Sequence, residues 1–235
     1  MIVAANLKTN FTRAKTEAYL AELESFTEEN SITQEVLVFP ATSSLNEHNG
    51  KVIVGAQNAY PVQNGAFTGE IGLEHLNEFN IKTILIGHSE RRHILGESQE
   101  KLVEKFNYFK ELGFQIVYCV GEPLEVRESG EQKMMEYIWA QYEGIDTEYE
   151  NLIIAYEPVW AIGTGLTPTL EEIETIHTKL KAKSSAPLLY GGSVKVNNAA
   201  EVLALNNIDG VLVGSAALSS DDFCQMIAFA QKIEK

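Results

Sequence analysis

Only two cysteines occur in the 235 residues, Cys119 and Cys224. They lie far apart and form no CxxC or metal-type spacing, so both are expected to be ordinary buried thiols of a reducing compartment. Long hydrophobic runs are also missing. The apolar stretch at residues 2–5 gives way to Asn6 and Lys8, too short for a spanning helix or a signal core, and a cytoplasmic location is expected. Cations are scarce: 18 Lys and Arg stand against 33 Asp and Glu, a formal charge of −15. A nucleic-acid backbone or an anionic membrane is therefore repelled on average, and neither is expected as a partner. A small anionic ligand would meet the same field, so its site must be made positive locally. No Pro/Gly/Ser-rich or single-charge tract interrupts the chain, which reads as one domain over residues 1–235 with room for one large core.

What is present is alternation. Short apolar, β-branched runs at residues 2–5, 36–39, 52–56, 83–86, 115–120, 152–155, 188–190 and 211–213 have the character of strands buried on both faces. Between most of them lie charged segments with helical spacing, at residues 16–26, 97–112, 134–142, 170–181, 199–205 and 221–233. Parallel pairing through right-handed crossovers follows, and eight strands suffice to close a (β/α)8 barrel. A doubly wound open sheet satisfies the same pattern.

In such barrels chemistry gathers at the carboxyl ends of the strands, and here those ends are polar or glycine-rich. Strand one ends in Asn6-Leu7-Lys8, strand four in Gly87-His88-Ser89-Glu90-Arg91-Arg92, strand six in Tyr156-Glu157-Pro158, strand seven in Gly191-Gly192-Ser193, and strand eight in Gly214-Ser215. Glu157 follows an apolar run and precedes a proline that stiffens the exit, and its desolvation is expected to raise its pKa toward a useful base. His88 stands where an imidazole can donate to a substrate oxygen. The histidines at 48, 75, 93 and 177 sit in polar or helical stretches and read as solvated. Ser89 is no nucleophile elbow, because Arg91 takes the place where that motif needs glycine. Backbone N–H groups at Gly191-Gly192-Ser193 and Gly214-Ser215, each ahead of a helical segment, can hold an anion without a lysine or arginine. The segment 158–165, with Gly163 and Gly165, can fold over a ligand; it lacks the residues of a Walker A loop.

Taken together, Asn6-x-Lys8, Gly65-Ala66-Phe67-Thr68-Gly69-Glu70, residues 86–92, Cys119-Val120-Gly121-Glu122, residues 156–165 and Tyr190-Gly191-Gly192-Ser193 closely resemble the triosephosphate isomerase family, in order and spacing over essentially the whole chain. The resemblance implies interconversion of dihydroxyacetone phosphate and D-glyceraldehyde 3-phosphate through an enediolate, in glycolysis and gluconeogenesis, with no cofactor and no metal. Glu157 is then the base, His88 the neutral electrophile that this family pairs with it, and Lys8 and Asn6 face the substrate oxygens. Gly163, Ser193, Gly214 and Ser215 would hold the phosphate, Gly163 arriving when the loop at residues 158–167 closes. Tyr190 and Ser193 are the positions expected to bond the closed lid, and Glu122 to hold Trp160 in the open one. The loop at residues 60–70, with Thr68, implies a homodimer. Glu90 resembles the family's second carboxylate and reads equally as an ion-paired scaffold residue; Lys8 has a rival use as a Schiff-base lysine. Three departures stand out: Leu7 in place of the usual tryptophan, Ser215 in place of glycine, which would be strained at positive φ, and a somewhat short chain. Another phosphate-binding barrel enzyme and an inactive scaffold are the competing readings.

Overall fold

The computed structural model describes residues 1–162 and 166–233. Its strands are β1 (Ile2–Asn6), β2 (Glu35–Phe39), β3 (Ile53–Val54), β4 (Thr83–Ile86), β5 (Gln115–Val120), β6 (Leu152–Tyr156), β7 (Leu188–Tyr190) and β8 (Gly210–Val213). They form one parallel sheet in the order β3-β2-β1-β8-β7-β6-β5-β4. The sheet closes on itself where Ala56 bridges to Ile84, with Ala56 N–H on Thr83 O and Leu85 N–H on Ala56 O, both at 2.9 Å. This is a (β/α)8 barrel, and closure excludes the open doubly wound sheet. Each expected strand is present, although β3 is cut to two residues plus the bridge at Ala56.

The helices are α1 (Arg13–Glu29), α2 (Leu73–Glu78), α3 (Ser89–His93), α4 (Gln99–Glu111), α5 (Leu124–Glu128), α6 (Glu131–Ala140), α7 (Leu170–Lys181), α8 (Val196–Leu203) and α9 (Ser220–Gln231). Their starts follow local chemistry. Thr12, Ser98, Thr169 and Ser219 each accept a backbone N–H of the first turn through the side chain, and Thr169 with Glu172 completes a reciprocal capping box. Among the described residues the β2–β3 connection carries only a 3-10 turn at Thr42–Ser44, so this crossover lacks the α-helix that a regular alternation provides. The described helices include none long and apolar enough to cross a membrane.

Period two along each strand divides the core. Ile2, Ala4, Leu37, Phe39, Leu85, Val117, Cys119, Ile153, Ala155, Leu189 and Leu212 pack inside the barrel. The alternate positions, among them Val3, Val38, Ile84, Ile116, Ile154, Tyr156, Tyr190 and Val211, pack outward against helix residues such as Leu23, Phe106, Ile173, Val202 and Phe223. Each fully buried aliphatic side chain contributes about 1.5 to 3 kcal/mol. Both cysteines are free, Cys119 buried and Cys224 half-buried. His177 departs from its expected solvation. It lies on the inner face of α7 with Ile173, Ile176 and Leu180, fully buried, its ring between those of Tyr156 and Tyr190.

Closure is sensitive at the β1–β8 seam. A Cβ on Gly210 would stand 1.8 Å from Ile2 O, whereas a Cβ on Gly113, at φ +73°, would meet nothing within 4 Å. Gly210→Ala is expected to cost more than about 3 kcal/mol and Gly113→Ala about 1 kcal/mol, measured by urea unfolding. Equal losses would mean that the seam is not a constraint.

Candidate active site

Continuing the inward period past the strand ends assigns the rim. The next inward positions on β1, β4, β5, β6, β7 and β8 are Asn6, Gly87, Gly121, Glu157, Gly191 and Gly214. Four glycines where the layer below carries side chains leave a hollow at the carboxyl face. A cavity of about 430 Å³ lies there, lined by Asn6, Lys8, His88, Glu157, Gly191, Gly192, Ser193, Gly214 and Ser215 among others. All expected site residues except Gly163 meet in it; Gly163 lies outside the described residues.

Glu157 is 2% exposed and His88 6%. His88 Nδ1 accepts the Glu90 N–H at 3.3 Å, capping α3, which leaves the ring proton on Nε2. That nitrogen faces Glu157 Oε1 at 3.0 Å, while Glu157 Oε2 accepts the Ser89 N–H at 2.8 Å. Gly87, at φ +78°, makes the turn that aims His88 inward. The pKa of Glu157 runs against the sequence expectation: burial pushes it up, but the charge and hydrogen bond of His88, the Ser89 N–H and Lys8 hold it below the ordinary carboxylate value. The pKa of His88 moves the other way: burial pulls it down, and the adjacent Glu157 carboxylate raises it by more. With Glu157 parked on it, the ring is more basic than a helix N-terminus alone would make it.

Lys8 stands in the left-handed region at φ +53°, a conformation that costs a non-glycine residue about 1 kcal/mol or more. Three bonds hold it there. Its N–H donates to Asn6 Oδ1 at 3.0 Å, and its C=O accepts from Gln57 Nε2 at 2.7 Å, an amide that also reaches Phe39 O at 2.9 Å. The Nζ donates to Glu90 Oε1 at 2.6 Å, so the ammonium is aimed across the rim. Gln57 carried no signal in the sequence, because only the fold brings it under Lys8.

The opposite wall is main chain. A Cβ on Gly191 would press on Glu157 Cγ at 3.0 Å, and one on Gly192 would collide with the buried Tyr190 hydroxyl, so a side chain at either position would disturb the residues beside it. Ser215 opens a 3-10 turn, Ser215–Leu218. It is not among the described non-glycine residues at positive φ, which are Lys8, Phe11, Ser31 and Asn80, so the anticipated strain is absent. Lys195, just before α8, lines the cavity as a second cation, and no motif in the sequence marks it. These two lysines are the cationic side chains lining the cavity, Lys8 paired there with Glu90.

At the start of the loop, Trp160 Nε1 donates to the fully buried Glu122 Oε1 at 2.8 Å, which also accepts from the Tyr156 hydroxyl at 3.1 Å. Burial raises the pKa of Glu122 despite these donors. The Arg127 guanidinium lies 4.2 Å over the Trp160 ring and is ion-paired to Glu172. The buried Tyr190 hydroxyl has no hydrogen-bond partner among the described residues. Residues 163–165, the middle of the expected lid, lie outside the described residues. Behind α3, Arg92 ties Gly87 O at 2.8 Å, Gln99 Oε1 at 2.9 Å and the Tyr118 hydroxyl at 2.9 Å. A second cavity of about 580 Å³ shares Lys8 and His88 and runs to Gly69, Glu70, Ile94 and Leu95, the last two strongly exposed. Among the described residues no cluster of three or more His, Cys, Asp or Glu is set to hold a metal ion. The groups present can move protons and stabilise negative charge.

The paired shifts carry opposite signs in pH. Glu157, lowered on folding, stabilises above its unfolded pKa near 4.3 and loses this as pH falls through the folded value; His88, raised, stabilises below about 6.5 and loses this as pH rises through its folded value. The stability advantage of the wild type over a Glu157→Gln/His88→Gln double variant is therefore expected to peak between about pH 4.3 and 6.5 in urea titrations. A pH-independent difference would refute the coupling.

The family model described as triosephosphate isomerase matches residues 1–230. The chain is 69% identical to the triosephosphate isomerase of Sulfurimonas denitrificans over 100% of this chain and 98% of that protein. It is 56% identical to that of Sulfurovum sp., over 97% and 99% of the two chains, and 55% identical to that of Wolinella succinogenes, also over 97% and 99%.

Proposed function

Because the chain belongs to the triosephosphate isomerase family, we propose that it interconverts dihydroxyacetone phosphate and D-glyceraldehyde 3-phosphate, with the rim cavity as the active site. The observation that carries this reading is the convergence of Glu157, His88 and Lys8 on one hollow that Gly191, Gly192, Ser193, Gly214 and Ser215 also line. The phosphate docks against the main chain at Ser193, Gly214 and Ser215, with Gly163 added from the lid. The carbonyl oxygen of the substrate then competes with Glu157 for the Nε2 proton of His88. Once the carboxylate leaves, the charge that raised the ring's pKa is gone, while the Glu90 N–H keeps Nδ1 aprotic. The ring is then a neutral donor, as an enediolate oxygen needs.

Glu157, released from its two donors and shut away from water, gains basicity and takes the proton from the carbon beside the carbonyl. Nε2–H and the Lys8 ammonium, with Asn6 beside them, stabilise the oxygen that becomes negative; each well-aimed donor is worth about 3 to 4 kcal/mol of barrier. A proton then passes through His88 Nε2 from the neighbouring hydroxyl to the oxygen that became negative, and Glu157 returns the carbon's proton to the neighbouring carbon, which completes the isomerisation. Closure of the loop at residues 158–167 keeps water from the intermediate, which otherwise expels phosphate. Glu122 holds Trp160 in the open position, and the unpartnered Tyr190 hydroxyl with Ser193 receives the closed lid. The only hint of an inactive scaffold is the unusual Ser215, and that residue is not at positive φ.

The enzyme acts as one domain over residues 1–235 in the cytoplasm, serving glycolysis and gluconeogenesis and, through its triose phosphate, the pentose shunt. It works as a homodimer. The exposed tip at Phe67-Thr68 of one copy enters the second cavity of the other, between Gly69 and Leu95, beside Lys8. Exposed Phe67, Ile94 and Leu95 support this, since such a patch is costly when left in water.

In a coupled assay on either triose phosphate, Glu157→Gln is expected to lower kcat by about 10² to 10⁴ with little change in KM. Glu157→Asp should also fall, and unchanged turnover in both would sink the assignment. Sedimentation should give twice the mass of one chain, and Ile94→Glu should give single chains of low activity. A fully active monomer would overturn the dimer reading.

A further inference from the structure

β4 ends at Ile86 and the chain turns away at Gly87 into α3, but β5 continues to Val120 and its backbone runs on through Gly121. From the Cys119 carbonyl onward the flank of β5 that faced β4 has β4 no longer beside it, and two side chains take the place of that strand. Arg92 Nη2 donates to Cys119 O at 3.1 Å. Gln141 pairs with Gly121 twice, accepting its N–H at 3.0 Å and donating to its C=O at 2.7 Å. A primary amide that both accepts and donates in this way reproduces a neighbouring strand.

Gln141 is itself fixed. It is buried at the end of α6, and its carbonyl accepts from the Tyr118 hydroxyl at 2.6 Å and from Gln99 Nε2 at 2.9 Å. On the far flank Gly121 lies directly against the base: a Cβ there would stand 1.8 Å from Glu157 O, and the Glu157 N–H donates to Val120 O at 2.7 Å. The next residue is Glu122, whose carboxylate takes Trp160 and whose carbonyl takes the Val159 N–H at 3.1 Å. Among the described residues the Gln141 side chain bonds to Gly121 and Tyr137 and not to the loop, and it does not line the cavity, yet the short segment it grips adjoins both.

We propose that Gln141 is a positioning residue of the active site: standing in for the missing strand, it sets how Gly121 and Glu122 lie against Glu157 and Trp160. It thereby fixes both the base and the latch of the open lid. This rests on the roles given above to Glu157 and Trp160. Without the amide, the Gly121 N–H and C=O are left buried and unpaired, and the segment must shift to reach other partners.

The chain has two tryptophans, so Trp139→Phe, a change at a partly exposed position on α6, leaves Trp160 as the sole emitter. In that background Gln141→Met is compared with Gln141 at a temperature where circular dichroism shows both folded. The expected result is a kcat roughly tenfold lower with KM within about twofold, together with a red-shifted Trp160 emission in the free enzyme as water reaches the loosened indole. If Gln141→Met does not fold, Gln141→Asn, whose amide falls one methylene short, carries the same test. Wild-type kcat and wild-type emission in a folded variant would reduce Gln141 to scaffold and overturn the proposal. A parent enzyme without isomerase activity would instead overturn the proposed function, and the emission comparison would still decide on Gln141.

Discussion

The register of a closed parallel sheet is the constraint on which this molecule depends. Once Ala56 meets Ile84, period two along the strands decides which rim residues face the axis. On six strands the first inward positions beyond the packed layer are Asn6, Gly87, Gly121, Glu157, Gly191 and Gly214. A slip of one residue on β6 would turn Glu157 outward and Pro158 inward, and the contacts of the carboxylate with His88 and the Ser89 N–H would be lost. The inner layer of Ala155, Cys119, Leu189 and Leu212 is thus both the floor of the cavity and the device that holds the register.

Electrostatics then works against the average of the chain. With a formal charge of −15, the protein repels anions at distance, and attraction must be built within the screening length of about 8 to 10 Å. Lys8 and Lys195 supply it with the peptide N–H groups of two tight turns. Lys8 is aimed by a backbone conformation that its side chain disfavours, and the amides of Asn6 and Gln57 hold that conformation. Two uncharged side chains thereby determine where the principal cation of the site points.

Much of this was legible in the sequence, and what escaped has a common cause. The strands were readable because parallel strands buried on both faces leave continuous apolar runs, and the rim residues because polar groups directly after such runs have few structural reasons to be there. The short helices α2, α3 and α5 are too brief for a periodicity to show. His177 read as solvated because one histidine in a charged segment does not reveal which helix face it occupies, and α7 turns that face inward. Gln57 and Gln141 were invisible for a different reason. Their work is to satisfy backbone groups distant in the chain, and nothing in a local window marks a glutamine as the partner of a peptide 20 or 49 residues away.

The direction of the Glu157 pKa was misjudged for the same reason, and the error is informative. Desolvation alone gives a stronger base, but the fold brings donors along with burial: the His88 ring and the Ser89 N–H, with the Lys8 charge, stabilise the carboxylate in the free enzyme more than burial destabilises it. A base held this way is ordered but weak. Both donors belong to the turn that also aims His88, so a substrate oxygen cannot engage Nε2 without removing one support from the carboxylate. In the proposed mechanism, binding and activation of the base are therefore coupled through one imidazole nitrogen. The same event frees His88 from the charge that made it basic, so each group reaches the protonation state its role requires only when the ligand is present.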